Sequence, residues 1–256
     1  MTNPETALSV NLNAVAFLRN RRDVGWPSVL EIGRLALSAG ASGLTVHPRP
    51  DERHIKRSDL APLKALVAEF ENAEFNIEGY PDSNFLDLAL EYKPHQVTFV
   101  PDDPSQSTSD HGWDIESNAN LLSNALRQVR ENGSRSALFI EADPTAPIAA
   151  WEVGADRVEL YTGPYGASHS DPSQAMKELD KLAETGQVAA TIGLNLTRSR
   201  PPLGVNAGHD LTADNLPALK SAIPHLAEVS IGHGLTAHAL SSGYGQAVKD
   251  FITALK

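Results

Sequence analysis

Short apolar runs alternate with amphipathic stretches along the chain, and this alternation restricts the fold more than any other feature of the sequence. The runs at residues 7–12, 43–46, 74–77, 96–100, 136–141, 157–160, 203–206 and 228–231 read as strands. Helical spacing follows each of them, at 28–39, 58–70, 84–92, 115–130, 146–153, 173–184, 212–222 and the stretch after 236. Ser28 and Glu31 stand at capping-box spacing, and Gly40 occupies the position of a helix-ending glycine. Parallel neighbours need a crossover, usually helical, so strands alternating with helices predict a parallel sheet. Eight such units in 256 residues suit an α/β fold of the closed (β/α)8 type, the TIM barrel, with 1–256 as one domain. An open doubly wound sheet is the alternative, weakened because no GxGxxG or Walker motif follows a strand. Residues 189–202 resist this parsing. Pro201 and Pro202 argue against regular structure there, and the segment reads as an insertion before the seventh strand.

Charge narrows the partners. With 32 acidic and 21 basic residues the net charge is -11, which argues against a nucleic-acid-binding face. A phosphate ligand remains compatible, because it responds to the local field and not to the total. The absence of cysteine excludes disulfides, thiolate metal sites and a Cys nucleophile. No apolar run reaches the ~20 residues of a membrane span. The start MTNPETALSV lacks the layout of a signal peptide, so a cytoplasmic location is expected.

In such a barrel, functional groups sit at the C-terminal ends of the strands. The expected strand ends deliver Asn11 and Asn13, then His47, Arg49, Asp51, Arg53 and His54, then Glu78. Asp102 and Asp103, Glu141 and Asp143, and Glu159 come next, followed by Asn206, Gly208, His209 and Asp210, and finally Gly232 and His233. Any one of these suits an ordinary polar surface. Imidazoles and carboxyls together on one rim are the material of general acid–base catalysis near neutral pH.

Two loops carry small residues between a strand and a helix, Asn206-Ala-Gly-His-Asp210 and Ile231-Gly-His-Gly-Leu235. After the seventh and eighth strands this is the usual phosphate cradle of the fold, although plain tight turns would look the same. Arginines cluster at 19, 21 and 22 and at 49, 53 and 57, and Arg22 and Arg49 are the preferred anion contacts. Two anion sites point to two phosphorylated ligands. His47 and His54 are seven residues apart and match no HxH or HExxH pattern, so a catalytic metal is the lesser reading.

Longer stretches carry a family resemblance. Asn11-Leu-Asn-Ala-Val-Ala-Phe-Leu-Arg-Asn20, His47-Pro-Arg-Pro-Asp-Glu-Arg-His-Ile55, Phe75-Asn-Ile-Glu-Gly-Tyr-Pro81, Val100-Pro-Asp-Asp-Pro104, Val158-Glu-Leu-Tyr-Thr-Gly163, Asn206-Ala-Gly-His-Asp-Leu211 and Ile231-Gly-His233 resemble the pyridoxine 5′-phosphate synthase family. The likeness runs from about Leu8 to the last helix.

The resemblance implies a (β/α)8 barrel with extra helices, assembled as a homo-octamer, a tetramer of dimers. It implies a transferase-type, ring-closing synthase of vitamin B6 biosynthesis that needs neither metal nor organic cofactor. Such an enzyme condenses 1-deoxy-D-xylulose 5-phosphate with 3-amino-2-oxopropyl phosphate, giving pyridoxine 5′-phosphate, phosphate and water. By the family pattern His47 and Glu78 are proton acceptors and His209 a proton donor. Asn11, Arg22 and Asp210 attend the amino-ketone phosphate, while Arg49, His54 and Thr108 hold the pentulose phosphate. Gly232 and His233 cradle a phosphate, and Glu159 is a further polar group of the site. The apolar barrel beneath is expected to raise a Glu pKa toward neutrality, and residues 101–112 to form a lid.

The chain departs from the family in places. Asn13 and Ala14 stand where many members have Asp-His, and Asn13 keeps hydrogen-bonding capacity toward the sugar. Tyr161 replaces a His found in some members, and the stretch near 198–202 is atypical. Gly234 stands where Ala is commoner, at an expected cost of some rigidity. An inactive phosphate-binding barrel and a metal-dependent aldolase or isomerase are the competing readings.

Overall fold

A computed structural model describes residues 5–102, 106, 109–192 and 201–256. Eight parallel strands close into a barrel in sequence order: β1 (Ala7–Asn11), β2 (Gly43–Val46), β3 (Glu74–Gly79), β4 (Gln96–Phe99), β5 (Arg135–Ile140), β6 (Arg157–Tyr161), β7 (Gly204–Gly208) and β8 (Glu228–Ile231). β8 pairs back onto β1 through Leu8↔Val229 and its neighbours. The outer ring is α2 (Val29–Ser38), α3 (Arg57–Val67), α4 (Ser83–Tyr92), α5 (Ala119–Glu131), α6 (Ala146–Val153), α8 (Pro172–Thr191), α9 (Leu216–Ala222) and α11 (Tyr244–Ala254). Three helices exceed the eight-fold pattern: α1 (Asn13–Asn20) after β1, α7 (Gly163–Ala167) after β6 and α10 (His233–Ser242) after β8. All three decorate the mouth at the strands' C-terminal ends.

The expected elements are present, with two differences. The stretch after 236 is two helices, α10 and α11, broken at Gly243 with φ 82°. Ala189–Thr191, expected to open an insertion, form the last residues of α8. The remainder of that segment through 200 lies outside the described residues apart from Ile192, which caps α8. Local signals explain several boundaries. Ser28 accepts from the Glu31 N–H at 3.2 Å to start α2, and Asp82 accepts from the Phe85 N–H at 2.8 Å to start α4. Gly154, at φ 110°, ends α6.

Strand alternation sorts side chains onto two faces of the barrel wall. Leu8, Val10, Leu44, Val46, Phe75, Ile77, Val97 and Phe99 face outward and join the buried helix side chains in one apolar cluster. The inward face is mostly polar, contrary to the expectation of an apolar barrel. Ser9 bonds Thr45 at 2.7 Å, Asn76 bonds Thr45 at 3.3 Å, and Thr98 donates to Asn76 at 3.1 Å. Asn206 Nδ2 lies 3.5 Å from Gln96 Oε1 and 3.4 Å from Glu228 Oε1. β4 does not pair with β7, so the Gln96–Asn206 contact crosses the lumen. Asn206 therefore lies inside the barrel and not on the rim, because β7 continues two residues past it to Gly208.

Charges close the N-terminal end. Arg157 donates to Asn206 Oδ1 at 3.0 Å and to Glu228 Oε2 at 3.4 Å, and Arg135 reaches Glu74. Among the described residues no helix is long and apolar enough to cross a membrane. Replacing Asn206 by Leu would take a partner from the buried Gln96 and Glu228 and from the half-buried Arg157. Unmet buried polar groups cost about 1–3 kcal/mol each. Urea denaturation of Asn206→Leu is expected to show a loss of about 3 kcal/mol, and an unchanged midpoint would contradict this account of the interior.

Candidate active site

A cavity of about 720 Å³ opens at the C-terminal end of the barrel. Asn11, Asn13, His47, Arg49, His54, Glu78, Glu159, His209, Asp210, Gly232 and His233 line it. Of the remaining expected site residues, Arg22 is exposed beyond α1 and does not line the cavity, whereas Arg21 does. Thr108 lies outside the described residues, as does much of the expected lid. Three other expected rim carboxylates are engaged elsewhere: Asp51 with Arg53, Glu141 with the Gly112 N–H and Asp143 with Thr145. Asp103 lies outside the described residues.

The first two strands build one side of the cavity. Asn11 Oδ1 accepts from the Asn13 N–H at 3.0 Å, and its Nδ2 lies 3.3 Å from Glu78 Oε2. Asn13 Oδ1 accepts from the His47 N–H at 2.9 Å, so this amide joins the start of α1 to the end of β2. Asn13 thus has a positioning contact that a sugar-binding expectation alone did not foresee. The His47 and His54 rings are neighbours, tilted to one another with centroids 5.9 Å apart. His54 Nδ1 accepts from the Ile55 N–H at 2.9 Å, which puts the neutral ring's proton on Nε2.

The opposite wall holds His209. Its ring packs edge-on against Tyr161 at 5.3 Å and beside Phe139 at 5.8 Å. His209 and Asp210 take φ of 90° and 52°, conformations that non-glycine residues rarely adopt. Thr162 Oγ1 contacts the carbonyls of both Gly208, at 2.7 Å, and His209. Asn215 Nδ2 donates to the Asp210 carbonyl at 3.2 Å. Phe139, Tyr161 and Thr162 were not among the expected site residues. Phe139 shares its strand parity with Ala137 inside the barrel, the signal that would have found it.

Two glycines are there for close approach. A Cβ on Gly208 would fall 2.3 Å from Glu159 Oε1. A Cβ on Gly234 would fall 2.2 Å from the Leu211 carbonyl oxygen, a clash with backbone. At 234, then, glycine is required by the β7 loop packed against α10, and its cost is not merely lost rigidity.

Burial governs protonation here. The His47 imidazole is pushed well below its ordinary value by burial, then by Arg49 and His54. Burial, with Arg49 beside it, lowers His54 to about 4. Burial also lowers His209, against an upward pull from Asp210 and Asp102. Glu78 is driven well above the usual carboxylate range by burial, then by Glu159 and Asp102. Burial and then Glu228 raise Glu159 to about 8, and its buried Oε2 has no hydrogen-bond partner among the described residues. The free site therefore holds neutral imidazoles as bases and neutral carboxyls as acids near pH 7. Among the described residues no three His, Asp or Glu side chains converge as metal ligands.

Residues 8–256 match the family model described as pyridoxal phosphate biosynthesis protein PdxJ. The chain belongs to this family. It is 58% identical over 248 residues to pyridoxine 5′-phosphate synthase of Mesorhizobium japonicum, covering 96% of this chain and 97% of that one. The Brucella abortus protein of the same name is 57% identical over 249 residues, covering 97% and 98%. Among solved structures, thiamine phosphate pyrophosphorylase from Pyrococcus furiosus superposes with a TM-score of 0.59 at 14% identity, over 99% of this chain and 96% of that one. A solved structure named as native KDPGal gives 0.57 at 13%, over 96% and 93%. These distant likenesses bear on the barrel fold alone.

The environment of this PdxJ family member's Glu159 predicts a pH signature. The native state keeps a proton up to about pH 8, whereas an unfolded Glu has released it above its ordinary value near 4.5. The native state binds more protons in between, so this group's contribution to stability falls as pH rises through that window. Glu159→Gln is neutral at every pH. Its stability relative to the parent should grow from about pH 5 to about pH 8 in urea denaturation, and a constant difference would show that Glu159 is ionised in the native state.

Proposed function

We propose that this barrel condenses 1-deoxy-D-xylulose 5-phosphate with 3-amino-2-oxopropyl phosphate to pyridoxine 5′-phosphate, phosphate and water. The observation that carries the reading is the convergence of His47, Glu78, Glu159 and His209 on one cavity beside a helix N-terminus. Closing a pyridine ring requires imine formation, enolisation, loss of phosphate and dehydration. Each step moves protons on and off carbon or oxygen, and groups on several strands around one ligand serve them in turn.

The protonation states assign first moves. His47, neutral, takes a proton. Glu78, protonated in the free site, gives its proton first and acts as acceptor on the return. His209 serves as donor once a phosphate dianion adds its charge to the pull of Asp210 and Asp102, since a nearby anion favours the imidazolium. Glu159 remains a neutral donor toward oxygen that develops negative charge.

Gly232, His233 and Gly234 line the cavity at the start of α10, where no side chain caps the helix. Their N–H groups and the helix dipole suit one phosphate. Arg49 and His54 on the β2 side serve the pentulose phosphate, and Asn11 and Asp210 flank the amino ketone. Arg22 and Thr108 belong to the same proposed set. The chain acts as one barrel domain over 1–256, in the cytoplasm and without membrane or nucleic-acid partners.

Purified protein given both substrates is expected to form pyridoxine 5′-phosphate at the same rate with and without a chelator. No product would leave the inactive phosphate-binding barrel, and chelator-sensitive turnover would favour the metal-dependent reading. Glu78→Gln should lower kcat by roughly a thousandfold or more while the folded spectrum is kept, as losses of catalytic groups do. Parent-like turnover in that variant would remove Glu78 from the mechanism.

The octamer belongs to this proposal as well. Phe17 and Leu18 on α1 and Leu240 on α10 stand exposed at the cavity mouth, Leu240 at 81%. Exposed apolar clusters of this kind mark association surfaces. Light scattering should give the mass of eight chains, and Leu240→Glu should yield smaller species. A monomeric parent would refute the assembly and leave the activity reading intact.

A further inference from the structure

We propose that Asp102 is a positioning residue, one carboxylate that orients both the base His47 and the anion-binding Arg49 and ties them to the connection after β4. This rests on the function proposed above and goes beyond it, because Asp102 touches the reacting side chains without belonging to the expected substrate contacts.

The geometry is a hub. Asp102 follows β4 by three residues and is only 7% exposed. Its Oδ2 accepts from Arg49 Nη2 and from Ser109 Oγ at 2.7 Å, and His47 Nδ1 lies 3.9 Å from the same oxygen. Arg49 is buried as well, and its Nη1 donates to the Gln106 carbonyl at 3.0 Å. One carboxylate oxygen thus gathers the loop after β2 and two points of the connection between β4 and α5. Asp102 Oδ1 is buried and has no hydrogen-bond partner among the described residues.

Physical reasoning gives the hub its role. A guanidinium held by a carboxylate through one edge keeps its fork in a fixed plane, and that plane decides whether it meets a phosphate bidentately. His47 sits among Arg49, Arg53 and His54 on its own loop, His209 from β7 and Glu78 from β3. Asp102 Oδ2 lies 3.9 Å from its Nδ1 and is at the same time the counter-charge to Arg49. Without it, His47 faces Arg49 uncompensated, and among the described residues Arg49 keeps a single anchor, the Gln106 carbonyl. A buried pair that served stability alone would lower the melting point when broken and leave the chemistry of the folded fraction unchanged.

The test is steady-state kinetics of parent, Asp102→Asn, Asp102→Glu and Ser109→Ala in the two-substrate assay, with folded protein quantified by circular dichroism. Asp102→Asn keeps the shape and removes the charge. It is expected to lower kcat at least tenfold, to raise KM for the pentulose phosphate and to move the acidic limb of the pH–rate profile to lower pH. Asp102→Glu, which restores the charge on a longer stem, should recover part of kcat and return the limb toward the parent. If Asp102→Asn does not fold, Ser109→Ala decides the matter: a severalfold rise in KM for the pentulose phosphate supports the hub, and parent-like kinetics overturns it. Folded Asp102→Asn with parental kcat, KM and pH profile also overturns it. A parent without turnover would instead sink the function itself, so the two failures are distinguishable.

Discussion

Five strands place a charged or strongly polar side chain inside the barrel at a level below the reaction cavity, and these must satisfy one another before the mouth above can be built. Glu228 is the centre of this arrangement. It is 5% exposed, yet it lies within 3.5 Å of Arg157, Asn206 and Gln96. An isolated carboxylate at that depth would be prohibitive; a carboxylate shared by an arginine and two amides is tolerable. The helices supply the apolar core outside the wall, so the barrel does not need an apolar lumen. This separation frees every second residue of each strand for polar work.

The chemistry at the mouth follows from that lower layer. Glu159 pairs with Asn206 in register, has Gly208 against its carboxyl and feels Glu228, which together with burial raises that carboxyl to about 8. Glu78 on the far side is raised in turn by burial and by Glu159. The carboxyls near the axis hold protons while the imidazoles around them do not. This inverts the order found in water, where Glu is the stronger acid by about two pKa units. The inversion is a property of the whole inward column and not of any one residue, because each carboxyl destabilises the ionised form of its neighbour.

Much of this was legible in the sequence. Eight apolar runs gave the strands, and the side chains at their ends gave His47, Glu78, Glu159 and His209, which do share one cavity. The polar interior was also legible: Thr45-Val-His47, Asn76-Ile-Glu78 and Glu228-Val-Ser230 alternate polar with apolar residues. Expecting an apolar barrel missed it by treating each run as uniformly buried. Other features were not readable. α1 and α7 are eight and five residues long and lack side-chain caps, so their spacing carries little signal. Asp102 stood beside Asp103 with nothing to distinguish them, since a 53-residue separation from Arg49 acquires meaning only when β2 and β4 are brought to the same rim.

The positive φ values at His209 and Asp210 show what the fold spends to fix the His209 wall of the cavity. Such conformations cost of order 1–3 kcal/mol each and persist only where neighbours over-determine them. Here the neighbours are identifiable. Thr162 holds the two carbonyls around His209, Asn215 holds that of Asp210, and Gly166 leaves room where any Cβ would fall 2.5 Å from Asp210. Tyr161 and Phe139 then leave the ring little freedom to rotate. The opposite side has no strained backbone at His47, where Asn13 holds the backbone N–H and the Asp102 carboxylate lies 3.9 Å from Nδ1. The two imidazoles are therefore held by different means, one by strained chain and aromatic packing, the other by an amide and a carboxylate. Charge reaches both rings, Asp210 and Asp102 pulling His209 up and Arg49 pushing His47 down, so the loop that carries Arg49 is joined to the His47 imidazole through their shared neighbour Asp102.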